Sequence, residues 1–287
     1  MNPYVPFVRD HARRLREGRA WQLGGFPLPV FVPPAPDAPR FLVFSPHPDD
    51  ECIIGGLPLR LMRECGWRVG NVAVTLGSKR ERQAARLEEL RGACDYLGFD
   101  LLTLGANGLE QVTAKARAAD PAGWAGKVAA IADVLRRESP RAILFPHVQD
   151  WNGTHIGVHH LVMDALATLG PAFETHLVES EFWGQNYQPN LLVETSERDL
   201  VDMITALTFH VGEVQRNPYH LTLPSWMTNN VRLGGETVGG QGEAPPDFPF
   251  GTVYQLRLWQ NGAVREMFKD GRVLDARTDP STLFADS

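Results

Sequence analysis

Cysteine is scarce in this 287-residue chain: Cys52, Cys65 and Cys94 are the whole set, and no two form a CxxC pair. An odd, dispersed trio excludes a disulfide framework and argues against a cysteine-built zinc site. A reducing cytoplasm is the compartment this implies. Long apolar runs are missing as well. None approaches the roughly 18 residues needed to span a bilayer, so no membrane span is expected. Residues 1–20 are rich in Arg and lack the apolar stretch of a secretory signal, so none is expected. An excess of positive charge is also lacking: 28 Lys and Arg face 34 Asp and Glu, a net charge of −6. Phosphate binding favours a basic surface, which argues against nucleic acid as the main partner.

No internal repeat or low-complexity tract interrupts the chain. With 43% hydrophobic and 22% charged residues, it can bury a sizeable core, and wholesale disorder is excluded. One bias stands out. Of nine histidines, five fall between positions 147 and 176, and His147, His155, His159 and His160 lie within fourteen residues.

Strand and helix patterns alternate from residue 41 to about 214. The run 41–44 is short, apolar and reads as a buried parallel strand. Further strands are expected at 69–75, 101–104, 142–145, 177–178 and 191–193. Helices are expected from Gly55 to Cys65, with Pro58 in the first turn, and over 78–97, 123–137, 158–169 and 196–214. Gly98 is a stop signal, and Ser196 with Asp199 forms a capping pair. This alternation predicts an α/β fold, a Rossmann-like, mostly parallel sheet with helices on both faces. Before it, residues 1–38 read as a basic amphipathic helix and a Pro-rich lead. After a 39–218 α/β domain comes a 219–287 extension. Residues 224–250 are rich in Gly and Pro with little periodicity. Residues 252–258 and 264–268, joined by Asn261-Gly262, read as a β-hairpin at the edge of a C-terminal subdomain.

In open α/β sheets, ligands bind beyond the carboxyl ends of the strands. After the first strand the chain reads Ser45-Pro46-His47-Pro48-Asp49-Asp50-Glu51. Prolines on both sides of His47 stiffen the turn. A second cluster, from His147 through Asp150, Trp151 and His155 to His159 and His160, follows the strand 142–145. Asp is common in solvated turns and caps, but two such clusters at two strand ends argue for a metal site. Two histidines and a carboxylate are a common zinc set, with one position open for water.

The run His47-Pro48-Asp49-Asp50-Glu51, with a downstream His-rich helix start, resembles the PIG-L/LmbE superfamily of zinc-dependent N-acetylglucosaminyl deacetylases. The resemblance covers roughly residues 40–215 and extends to Val74-Thr75-Leu76-Gly77, Arg86-Leu87-Glu88-Glu89 and Leu97-Gly98. It implies that His47, Asp50 and His159 bind Zn²⁺, with Fe²⁺ as the alternative ion. It implies that Asp49 is the general base and that His155 assists in the transition state. Family members often place two residues between the paired histidines; here three separate His155 from His159. His155 or His160 therefore competes for the third ligand position.

The expected chemistry is removal of an N-acetyl group from an amino-sugar substrate or conjugate. Zinc polarises the amide and acidifies water, and Asp49 carries the proton to the leaving amine. Glu51 and Asp150 are expected to orient ligands. Arg86, beyond the second strand with Arg80 and Arg82, is a candidate grip on sugar hydroxyls or an anionic group. Trp151, Trp183 and Tyr187 are candidates for stacking on a sugar face. A same-fold amidase on a non-sugar amide and a non-catalytic sugar-binding module are the competing readings; a pure binder has no need of Asp49. A dinucleotide binder would show GxGxxG after the first strand, and Gly55-Gly56 does not supply it. The C-terminal hairpin either caps the pocket or mediates association into a homo-oligomer.

Overall fold

The computed structural model describes residues 2–285. Helix α1 (Tyr4–Glu17) and the Pro-rich lead precede β1 (Arg40–Ser45). There follow α2 (Leu57–Cys65), β2 (Arg68–Ala73), α3 (Arg80–Leu97), β3 (Asp100–Thr103), α4 (Ala114–Ala119), α5 (Pro121–Glu138) and β4 (Ala142–Pro146). Next come α6 (Gly153–Ala167), β5 (Thr175–Ser180), β6 (Leu191–Glu194), α7 (Glu197–Leu207), α8 (Val211–Arg216) and α9 (Leu223–Gly239). The chain finishes with β7 (Gly251–Gln260), β8 (Ala263–Glu266) and β9 (Arg272–Leu274).

One mixed sheet runs in the order β3-β2-β1-β4-β5-β7-β6-β9, with β8 paired to β7. β1 to β5 are mutually parallel. β1 shows why such a strand is apolar at every position. Phe41 and Val43 face a core completed by Leu59 and Leu61 of α2, Leu90 of α3 and Met203 of α7. Leu42 and Phe44 face the opposite core, with Ile131 and Leu135 of α5 and Leu161 of α6. Burial on both faces removes the polar half of the usual alternation. The predicted mostly parallel sheet with helices on both faces is therefore present. Among the described residues, no helix is long and apolar enough to cross a membrane.

The local signals act as expected in several places. Gly98 ends α3 in the left-handed region at φ 78°, and Ser196 caps α7 by accepting the Asp199 N–H. The structure departs from the sequence reading in four places. Helix α6 begins at Gly153 rather than 158, because Asn152 caps it by accepting the Thr154 N–H at 2.8 Å. The helix expected over 196–214 breaks after Leu207 and resumes as α8, with His210 in the joint. The aperiodic stretch after 224 contains the 17-residue α9. Its helix-weakening glycines are packing positions: a Cβ on Gly234 would stand 2.8 Å from Leu192, and one on Gly235 2.8 Å from Pro245. Finally, the hairpin β7–β8 is not at the margin. β7 is inserted antiparallel between β5 and β6, so the C-terminal segment completes the central sheet.

Candidate metal centre

In the order 3-2-1-4-5 the strand succession reverses between β1 and β4, and the crevice beyond their carboxyl ends is where such sheets bind ligands. Both sequence clusters arrive there. β1 delivers the turn 46–51, and β4 delivers the loop that ends in the Asn152 cap. Because α6 starts at Gly153, His155 lies in its first turn and not ahead of it.

Three side-chain atoms meet at this point. His47 Nδ1 is 3.2 Å from His155 Nε2 and 3.4 Å from Asp50 Oδ2, and His155 Nε2 is 3.3 Å from the same oxygen. His155 and Asp50 are buried and His47 is partly exposed. Two imidazole nitrogens and one carboxylate oxygen crowded into a near-equilateral triangle are a suitable donor set for a divalent ion. Tetrahedral zinc with bonds of about 2.0–2.1 Å places neighbouring donors about 3.3 Å apart, so the triangle fits one face of the tetrahedron around such an ion.

The surrounding groups fix these donors. Burial by itself would raise the Asp50 carboxyl, but His155 first and then His47 hold it below the usual carboxylate range. Burial would lower the His155 imidazole, but Asp50 and Asp150 push it up to about 10. His155 Nδ1 lies 3.5 Å from Asp150 Oδ1. Asp150 is buried and accepts the backbone N–H groups of Asn152, Trp183 and Gly184 at 2.8–3.2 Å. It therefore ties the far side of the imidazole to two loops at once, as an orienting carboxylate should.

Asp49 sits beside the triangle with φ 113°, a backbone conformation that costs a non-glycine residue about 1–3 kcal/mol. Two contacts hold it. Its backbone N–H donates to Glu51 Oε2 at 2.9 Å, and its Oδ2 accepts the Tyr219 hydroxyl at 2.5 Å. Glu51 is in turn bonded at 2.6 Å to His210 Nε2, and both are fully buried. Burial would lower the His210 imidazole; Glu51 outweighs it and holds it above its ordinary value. Burial first, and then the Asp50 charge, push the Asp49 carboxyl up to about 7, against His210, the Tyr219 hydrogen bond and Arg86.

His159 is placed elsewhere. Its Nδ1 bonds the Pro146 carbonyl at 3.0 Å, its ring stacks edge-on with His160, and it is absent from the donor triangle. Burial pushes its imidazole down to about 4. His160 is half-buried on the outer side of the same helix. His147 Nε2 donates to the Gly184 carbonyl at 2.9 Å while Nδ1 accepts the Gln149 N–H, so it pins one loop to another.

A cleft of about 580 Å³ opens over the triangle and is walled by Asp49, Arg86, Trp151, Trp183 and the cations Lys79, Arg82 and Arg216. Arg86 donates to the Pro48 carbonyl at 2.9 Å and lies 3.9 Å from Asp49, so much of its guanidinium supports the turn 46–51. Trp151 is 83% exposed on the rim. Tyr187 is exposed and does not line this cleft. His210 and Tyr219 escaped the sequence reading; they lie about 160–170 residues beyond Asp49 in a segment without a motif.

Residues 42–166 match the family model described as PIG-L, GlcNAc-PI de-N-acetylase. No curated protein matches the sequence. Among solved structures the chain is similar to the N,N'-diacetylchitobiose deacetylase of Pyrococcus horikoshii (17% identity over 89% of this chain and 93% of that one, TM-score 0.54). It is also similar to the conserved protein TT1542 of Thermus thermophilus (20% identity, 75% and 92% coverage, TM-score 0.54). A third neighbour is the 4-carboxy-2-hydroxymuconate hydratase of Pseudomonas putida (16% identity, 76% and 95% coverage, TM-score 0.55). At these identities the likeness is one of fold. The resemblance carried by His47-Pro48-Asp49-Asp50-Glu51 holds: that run lies within the residues 42–166 that match the PIG-L family model.

Proposed function

We propose that this protein is a zinc-dependent N-deacetylase acting on an N-acetylated amino sugar or its conjugate. The observation that carries the reading is the donor triangle of His47, Asp50 and His155 with Asp49 beside it at the sheet's switch point. In this reading His155 takes the ligand position that the resemblance gave to His159. The family match over residues 42–166 and the deacetylase among the structural neighbours support the reaction class. A non-catalytic sugar binder has no use for a carboxylate held in a strained conformation next to the donors.

A divalent ion at the triangle supplies a Lewis acid that polarises the amide carbonyl and acidifies water. The chain's own residues do the rest. Asp49, which lines the same cleft as His47 and Asp50, would accept a proton from water and return it to the leaving amine. An ordinary Asp is too weak a base for this; burial beside Asp50 brings its proton affinity toward neutrality. Tyr219 restricts Asp49 to one orientation. Asp150 fixes the His155 ring, and Glu51 fixes the strained turn. Arg86, Trp151 and the rim cations define the face on which the substrate rests.

Amine release from N-acetylglucosamine and its conjugates, followed with and without added zinc, tests the proposal. Wild-type protein should release amine in a zinc-dependent manner. Asp49→Ala should keep its metal and lose roughly 10²–10⁴-fold in rate, the usual contribution of a positioned acid–base group. Equal activity in Asp49→Ala removes the base assignment. Zinc-independent amine release removes the metal.

A further inference from the structure

Exposed apolar side chains are not spread evenly over this protein. Among the described residues, eight of the fourteen large hydrophobics that stand open to solvent fall between Tyr4 and Val32, ahead of the sheet and outside residues 42–166. Single exposed hydrophobics are normal, but a concentration of them marks a surface that meets something else.

Helix α1 shows the arrangement most clearly. Tyr4, Phe7, Val8 and Leu15 follow the helical period and form one stripe. The stripe outruns the surface it packs on. Leu15 is half-buried, and Gly18, just after the helix, lies against Leu221, where a Cβ would stand 2.6 Å from that side chain. Tyr4, Phe7 and Val8, in the first two turns, are 73%, 72% and 61% exposed. The extended lead behind the helix is fastened separately, by the Gly24 N–H donating to Thr208 Oγ1 at 3.1 Å, yet Trp21, Val30 and Val32 stay exposed.

The charges of the helix are sorted as well. Residues 1–20 carry five Arg against Asp10 and Glu17, in a chain whose net charge is −6. Both acids lie opposite the stripe and pair with Arg13, at 3.3 and 2.9 Å. Arg14 flanks the stripe on one side, and Arg9 and Arg16 flank it on the other. Among the described residues, these three and Arg19 form no ion pair. A stripe of rings and methyl groups edged by unneutralised Arg suits the boundary between lipid headgroups and acyl chains. The apolar groups enter the boundary and the guanidinium groups reach lipid phosphates. The 14 residues of α1 span about 21 Å, against a hydrocarbon core of roughly 30 Å, so the helix can lie on a membrane but not cross it. A nucleic acid would use the Arg and leave the stripe in water.

We infer that α1 is a docking site for a bilayer surface rich in anionic phospholipid. The inference goes beyond the proposed reaction and holds or fails independently of it.

Co-flotation of the whole chain with vesicles tests it, using phosphatidylcholine alone and phosphatidylcholine mixed with phosphatidylglycerol. Binding to the mixed vesicles should exceed binding to the neutral ones at least about tenfold at low salt, and should fall as salt is raised. Phe7→Ser should weaken binding about tenfold through lost apolar burial. Arg14→Gln combined with Arg16→Gln should weaken it about tenfold or more through lost charge. All three positions are exposed, so these replacements spare the fold, and an unchanged urea unfolding midpoint checks that. Absence of flotation, equal binding to neutral vesicles, or variants that float as well as wild type each overturn the proposal. Sedimentation velocity covers the other occupant. An oligomer that Phe7→Ser converts to monomer, without flotation of the wild type, gives this face to a second copy of the chain and overturns the lipid assignment.

Discussion

The two sides of the crevice are built differently. The parallel half, β1 to β5, contributes the donors His47, Asp50 and His155 from two short strand-end turns. The half that follows, from the joint between α7 and α8 through α9, contributes no donor to the triangle. It contributes His210, which braces Glu51, and Tyr219, which grips Asp49. The donors are bunched in sequence because a strand end is a single place. The restraints are dispersed because any element that packs over the crevice can supply one. On the proposed function, binding an ion and aiming a base are separable properties, located in different parts of the chain.

The largest expected effect breaks the first half alone. His155→Ala should weaken zinc binding beyond the roughly 10–100-fold typical of an orienting residue, whereas His159→Ala should stay below tenfold. Metal content after equilibrium dialysis decides; the opposite ranking returns the third ligand position to His159. The next effect belongs to the second half. His210→Ala leaves Glu51 buried without its partner, and breaking a buried pair in this way costs about 3–5 kcal/mol. The urea unfolding midpoint measures it. A loss below about 1 kcal/mol would mean that Glu51 needs no brace.

Glu181 sharpens the comparison through pH. Its carboxyl sits at about 7 in the folded protein against an ordinary 4.5, because it is buried. The folded state therefore holds this proton more firmly than the unfolded chain. The stabilisation is complete below about pH 4.5 and is lost as the pH rises through 7. Relative to wild type, Glu181→Gln should gain stability from pH 5 to pH 8, by up to about 3 kcal/mol. Parallel denaturation curves at the two pH values check the slope. The smallest effect isolates the grip on the base. Tyr219→Phe removes one hydrogen bond to a carboxylate, about 1.5–3 kcal/mol. It should lower kcat about 10–100-fold with zinc content unchanged. A change confined to KM would assign Tyr219 to substrate binding instead.

Much of the parallel half could be read directly from the sequence. The all-apolar run 41–44 announced a strand buried on both faces, and Pro46-His47-Pro48-Asp49-Asp50 announced a stiff turn rich in donors. Asn152 was an available signal for the earlier start of α6, since an Asn ahead of Gly-Thr-His is a strong cap. Read that way, it would have put His155 in the first helical turn. The second half was harder for physical reasons. Helix α9 hides behind Gly234 and Gly235, whose low helix propensity is outweighed by close packing on Leu192 and Pro245. His210 and Tyr219 carry no local pattern, because what places them is tertiary packing.

The insertion of β7 between β5 and β6 also sets the order in which the molecule can assemble. β5 pairs Leu177 with Arg257, eighty positions later, so one side of β5 has no hydrogen-bonding neighbour until the last quarter of the chain has emerged. Such distant closures are slow, and an unpaired strand is a template for association with another chain. A form that stops short of β7 would hold all three residues of the triangle and still leave β5 open on one side and β6, whose neighbours are β7 and β9, open on both. For this protein, the arrival of β7 is the step that joins β5 to β6 and closes the sheet.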